Sequence, residues 1–206
     1  MSSSYGPTKT VRVNDIEHLY ESLDEGPGRL YGLLDAARDE AVRHVLACSG
    51  KRCCSLLDGP ESALLRRVSP YLTVVPRRSL FLRTLLERGW GASWGVFIRT
   101  RADLPSLRRH LRRFLEVEHA DGRRLYFRFY DPRVFRIWLP TCTERELDSF
   151  FGPIEQFMLE SADSSQLLTY VHHRFRVGSA ACLGAPGGGV VVRGLNEARR
   201  GGMGCG

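Results

Sequence analysis

Between Arg123 and Pro140 the chain changes its hydrophobic period within a few residues, and that change restricts the fold more than any other stretch. Leu125, Phe127 and Phe129 alternate with Tyr126, Arg128 and Tyr130. A period of two predicts a strand with one greasy face and one mixed face. Asp131-Pro132 ends it, because aspartate caps the amides of a new helix and proline fits the first helical position. Val134, Phe135, Ile137, Trp138 and Leu139 then predict a short apolar helix that Pro140 stops. A strand this aromatic, joined at once to a helix this apolar, is expected in the middle of a domain, with the remaining chain covering it.

The rest of the chain reads as alternating strands and helices. Residues 1–28 are expected as a flexible leader, with a short helix where Ile16, Leu19, Tyr20 and Leu23 share a face. Arg29 to Asp35 is an apolar strand, followed by a helix that Ser49-Gly50 closes. Cys53 to Asp58 repeats that strand, Leu56-Leu57-Asp58 echoing Leu33-Leu34-Asp35, and a helix over 61–68 follows. Tyr71 to Val75 is a third strand, and Ser79 caps a helix through Leu80, Leu82, Leu85 and Leu86. This alternation of apolar strands with helices predicts parallel strands joined by right-handed crossovers.

Further along, Leu104 to Leu115 is amphipathic, with Arg108, Arg109, Arg112 and Arg113 on its outer face. Asp121-Gly122 between two extended runs predicts a hairpin. Thr143-Glu144-Arg145-Glu146 is a capping box, and Ile154 to Glu160 is the last strand of the body. The expected fold is α/β: a mixed sheet of parallel β-α units followed by an antiparallel hairpin, with helices packed around it over residues 29–160. Residues 161–206 are expected to hold one short extra element and then a disordered tail, since ten glycines fall in the 29 residues from Gly178.

A chain of 206 residues points to one domain. No apolar run approaches the ~20 residues of a membrane helix, and the first ten residues lack the blocks of a secretory signal. A cytoplasmic protein without membrane insertion is expected. Six cysteines without a C-x-x-C pair point to reduced thiols and to no metal site or cofactor. Net charge is +7; residues 161–206 hold five arginines against Asp163 and Glu197, leaving +4 on the rest. A body of nearly balanced sign argues against a nucleic-acid footprint.

Candidate chemistry is sparse. Asp35 and Asp58 both end strands, where they serve either as an acidic pair for a metal or phosphoryl group, or as caps for the helices that follow. Cys142 with His110 or His119 is a possible nucleophile and base without a third orienting group. His172-His173 point to opposite sides if extended and make poor joint ligands. Trp90 and Trp94, set among Gly89, Gly91 and Gly95, read either as rings plugging a lobe or as a surface anchor for a partner. The arginine face of the 104–115 helix reads as a solvated face or as a contact for an acidic partner. No phosphate loop, dinucleotide fingerprint, nucleophile elbow or zincin helix is present.

Five segments occur in a familiar order: Leu30-Tyr31-Gly32-Leu33-Leu34-Asp35-Ala36-Ala37-Arg38-Asp39, Trp90-Gly91-Ala92-Ser93-Trp94-Gly95-Val96-Phe97-Ile98, Leu107 to Leu115, Phe127-Arg128-Phe129-Tyr130-Asp131-Pro132-Arg133-Val134, and Phe151-Gly152-Pro153-Ile154. Together they resemble the effector-chaperone, or adaptor, family of bacterial type VI secretion, long known only as a domain of unknown function. The resemblance covers residues 29–160. It implies a non-enzymatic protein that binds a cargo effector and helps load it onto the VgrG spike; the residue types suggest that apolar and arginine-bearing surfaces receive an amphipathic N-terminal segment of that effector. Many members carry a further C-terminal helical lobe; here a glycine-rich tail stands instead, as expected of a truncated or frame-shifted end. The residues expected to meet the partner are Trp90, Trp94, Arg108, Arg112, Arg128, Tyr130 and Arg133. Asp35, Asp58, Gly91, Gly95, Asp131 and Pro132 are expected to hold the motifs in shape. An enzyme using Asp35 and Asp58, or a basic nucleic-acid module, are the alternatives.

Overall fold

The computed structural model describes residues 5–57, 65, 67–118 and 123–172. In chain order these form β1 (Lys9–Arg12), α1 (Ile16–Asp24), β2 (Arg29–Asp35), α2 (Glu40–Cys48), β3 (Cys53–Ser55), β4 (Pro70–Val75), α3 (Leu80–Gly89), β5 (Gly95–Thr100) and α4 (Leu104–Arg112). There follow β6 (Glu116–Glu118), β7 (Arg124–Tyr126), α5 (Pro132–Trp138), a 3-10 turn at Leu139–Thr141, α6 (Glu144–Phe151), β8 (Ile154–Glu160) and β9 (Gln166–Val171).

Seven strands form one sheet in the order β1-β9-β8-β5-β2-β4-β3, and every pairing in it is antiparallel. The expected parallel β-α units are therefore corrected. Strands β2 and β3, joined through α2, do run the same way, but β4 lies between them. Likewise β4 and β5, joined through α3, run the same way on either side of β2. Local periodicity is the same whether a crossover lands beside its starting strand or one place further on. The apolar strands that suggested parallel pairing reflect a sheet covered on both faces.

The aromatic stretch is also placed differently from expectation. Only Arg124–Tyr126 is strand, and it pairs with β6 in a separate two-stranded ribbon rather than in the middle of the sheet. Asp121-Gly122, the predicted turn, lies outside the described residues, as do Asp58 and residues 61–64 and 66 of the helix predicted over 61–68. Past Phe127, whose N–H still donates to the Leu115 carbonyl at 2.8 Å, the chain leaves the ladder and turns inward. Phe129 and Tyr130 are 0% and 1% exposed. Burying both rings in one core outweighs extending a ladder that has no further partner strand.

Residues 9–24 belong to the body rather than to a loose leader. β1 pairs with β9, and Leu19 and Leu23 of α1 are fully buried. β9 in turn lies between β1 and β8, so the sheet extends beyond residue 160; residues 173–206 lie outside the described part.

Side-chain alternation along the strands sorts the core into two layers. Tyr31, Leu33, Val96, Ile98, Phe157 and Leu159 face α4, α5 and α6. Leu30, Leu34, Phe97 and Met158 face α1, α2 and α3. Gly95 opens β5 where backbones meet too closely for a side chain: a Cβ there would stand 2.0 Å from the Leu33 carbonyl oxygen. Asp15, Asp39, Ser79, Asp103, Asp131 and Thr143 each cap the helix that follows, and Thr143 with Glu146 closes the predicted capping box.

Candidate functional site

Three of the five signature segments meet at the end of β2. The Asp35 N–H donates to the Trp94 carbonyl at 2.7 Å. Its carboxylate, fully buried, accepts from the Ala37 N–H at 3.0 Å and pairs with the Arg128 guanidinium. One aspartate thus ties the β2 segment to both the tryptophan loop and the Arg128 turn. Asp58 lies outside the described residues.

Beside this junction Asp131 caps α5 through the Arg133 N–H at 3.0 Å and holds the Arg133 guanidinium through both oxygens, at 3.0 and 2.6 Å. Burial works to raise its carboxyl, but the hydrogen bonds and charge of Arg133 outweigh it and hold the group below the usual carboxylate range. Pro132 is buried at the first turn of α5. The Tyr126 and Tyr130 hydroxyls share a hydrogen bond, and burial pushes both upward, Tyr130 further. Both stay protonated at neutral pH.

The tryptophan loop is held by a residue that sequence reasoning passed over. Glu160, 5% exposed at the end of β8, accepts from the Gly91 N–H at 2.5 Å, the Ser93 N–H at 3.1 Å and the Ser93 hydroxyl at 2.9 Å. Its own carbonyl accepts from Arg136 of α5 at 2.7 Å. The signal was present as a single carboxylate closing an otherwise apolar run, Phe157-Met158-Leu159-Glu160. Trp94 is 3% exposed and donates its indole N–H to Asp39 at 3.1 Å. Trp90 is half-buried and donates to the Ser164 carbonyl at 2.8 Å. Arg38 reaches the Ala92 carbonyl at 3.1 Å. Of the residues expected to meet a partner, Trp94 and Tyr130 are buried, and Trp90, Arg128 and Arg133 are engaged within the fold while partly exposed.

Arg108 and Arg112 lie elsewhere, on α4. Arg108 donates to the Ser55 carbonyl at 2.7 Å. With Arg109, Arg113, Cys54, Leu104 and Pro105 they line an open groove of about 590 Å3. A second groove, about 470 Å3, lies on the other side of the sheet between α2 and α3. Among the described residues, Cys142 and His110 do not assemble as a thiol–imidazole pair. Cys142 is 2% exposed, burial pushes its thiol up to about 12, and its sulfur points at the Trp138 carbonyl. His110 is buried, lowered by desolvation, and hydrogen-bonded to the Phe150 carbonyl at 2.8 Å. His119 and His173 lie outside the described residues; His172 pairs with Asp148 at 2.9 Å. Among the described residues no three His, Cys, Asp or Glu side chains cluster as metal ligands, and no helix is long and apolar enough to cross a membrane.

Neither the curated proteins nor the solved structures yielded a match to this chain. A family model did. The model described as a domain of unknown function (DUF4123) matches residues 30–149, over half of the 206, and reaches from β2 through the tryptophan loop, α4 and the Arg128 turn into α6. The chain belongs to this family.

Proposed function

We propose that the protein is a type VI secretion effector adaptor, which holds a toxic effector in the cytoplasm and helps seat it on the VgrG spike. Family membership and the ordered signature segments support the reading. The observation that carries it is the fate of Asp35. The best-placed acid at a strand end is wholly buried and spent on Arg128 and the Ala37 amide. The signature residues build a scaffold, and what remains for function is the surface. That surface offers arginines along α4 and exposed apolar side chains at Leu80, Leu125, Tyr126 and Ile137. Such groups bind polypeptide: apolar area supplies affinity, and guanidinium groups supply orientation and partner choice. No bond is made or broken, and neither metal nor cofactor has a role.

The test is co-expression with the toxin encoded in the neighbouring reading frame. The two proteins are expected to co-purify, and deletion of this protein is expected to stop export of the toxin. Absence of both effects ends the reading. Charge reversal at Arg108 and Arg112 is expected to weaken the complex while the protein stays folded. Binding to duplex nucleic acid that falls steeply with salt would instead assign the α4 arginines to a nucleic-acid surface.

A further inference from the structure

The groove between α2 and α3 has the make-up of a binding seat. Val45 and Phe81 are buried beneath it. Leu80 stands on its α3 flank at 81% exposure, the highest of the exposed large apolar residues described. Position 80 is the first residue after the Ser79 cap, where helix formation asks for nothing apolar. Arg88, two turns further on, continues the flank that Leu80 begins, and His44 and Lys51 stand on the opposite side. Among the described residues that line the groove there is no carboxylate. An apolar floor with an exposed leucine and a rim of one charge sign selects a ligand that is itself two-sided.

We propose that this groove seats an amphipathic helix of a partner polypeptide, with leucine-type residues on its apolar face and carboxylates along its flanks. The source of that helix rests on the adaptor reading: it belongs to the cargo effector. From Leu80 to Arg88 helix α3 advances roughly 12 Å, a little over two turns, so the occupant presents apolar residues at i, i+3 or i+4, and i+7. Lys51 and Arg88 face its acidic flanks, which sets its rotation about its own axis. A nucleic-acid strand fits less well, because among the described lining residues the phenyl ring of Phe81 is buried and the small imidazole of His44 is the one exposed ring left for stacking.

The test uses the full chain and a fluorescent peptide of about 18 residues, five helical turns, with leucines at that spacing and glutamates on the flanks. Fluorescence anisotropy is expected to show saturable binding. Leu80→Glu and Arg88→Glu are each expected to weaken it by roughly tenfold or more, with thermal unfolding unchanged, and a lysine-flanked peptide is expected to bind as weakly to the natural chain. Equal binding by the two peptides, or by the two variants and the natural chain, overturns the proposal. So does a loss of self-association in Leu80→Glu, which would make the groove a contact between copies. Co-purification of the neighbouring toxin separates the two levels. If Leu80→Glu retains the toxin as well as the natural chain does, the groove is not the seat while the adaptor reading stands. If the natural chain does not retain it, the adaptor reading itself falls.

Discussion

On one face of the sheet Phe114, Phe129, Phe135, Phe150 and Phe157 meet ring against ring; on the other Leu30, Leu34, Leu82, Leu85 and Leu86 meet chain against chain. Phe150 alone has its ring within 5.0 Å of Phe157, stacked, and within 5.6 Å of Phe129, edge-on. Ring contacts have preferred geometries, so this face locks α5, α6 and the Phe129–Tyr130 turn in one arrangement. Aliphatic side chains fill space without such preferences and tolerate exchange of similar volume. The aromatic face carries the Asp35–Arg128 junction, whereas the aliphatic face lies beneath the α2–α3 groove.

Substitutions can break or sharpen that contrast. The largest effect is expected where both faces depend on one backbone contact. Gly95→Ala should cost more than about 3 kcal/mol, because its Cβ has no room beside the Leu33 carbonyl; unchanged urea unfolding would show that β5 can shift and that the two layers are not tied there. Next, Phe150→Ala should cost about 3–5 kcal/mol. Leu85→Met, on the aliphatic face, should cost under about 1.5 kcal/mol. Equal costs for the pair in chemical denaturation would abolish the distinction between the faces. Arg128→Ala leaves the buried Asp35 carboxylate without its cation; with the Arg128 side chain 42% exposed, a loss of about 2 kcal/mol is expected, below the full penalty for a broken buried pair.

A smaller effect is expected at the β8–β9 turn. Hydrogen bonds from the Ser161 and Ser165 hydroxyls and the Ser165 N–H hold Asp163 down to about 2, below its unfolded value. Its contribution to stability is therefore present above about pH 4 and lost as pH falls toward 2. Asp163→Asn should lower the melting temperature slightly at pH 6 and leave it unaltered near pH 2; a pH-independent difference would assign the loss to turn geometry instead. Smallest of all, Leu80→Glu should change stability by no more than about 0.5 kcal/mol. A larger loss would mean that Leu80 supports the fold, and the α2–α3 groove would lose its claim to be a binding surface.

Much of the fold was legible in the chain. Arg29–Asp35 and Ile154–Glu160 appear at the predicted bounds, and the Ser79, Asp131 and Thr143 caps stand where their spacing put them. These are local statements, decided by side-chain alternation and by amides that need an acceptor within a few residues. The pairing of strands was not legible, because β2 and β3 have the same alternation with β4 between them as they would side by side. The Arg124–Tyr130 alternation misled for a related reason: rings at 127 and 129 satisfy a period of two in a strand, and equally well in a turn that buries them. In the candidate site, Asp35 and the tryptophan loop stood out in the sequence. Their meeting did not, since Glu160 lies 67 residues from Ser93, and Arg128 93 residues from Asp35.

From the sequence alone came the alternation of strands and helices, the helix ends, the signature segments and the family they imply. Those follow from short-range chemistry, in which each residue answers to neighbours within about a turn or two. Only the tertiary structure decided that the sheet is antiparallel throughout, that Trp94 and Tyr130 lie inside, and that Leu80 lies outside. Burial and strand order are settled by which distant surfaces meet, and no window along the chain contains both surfaces at once.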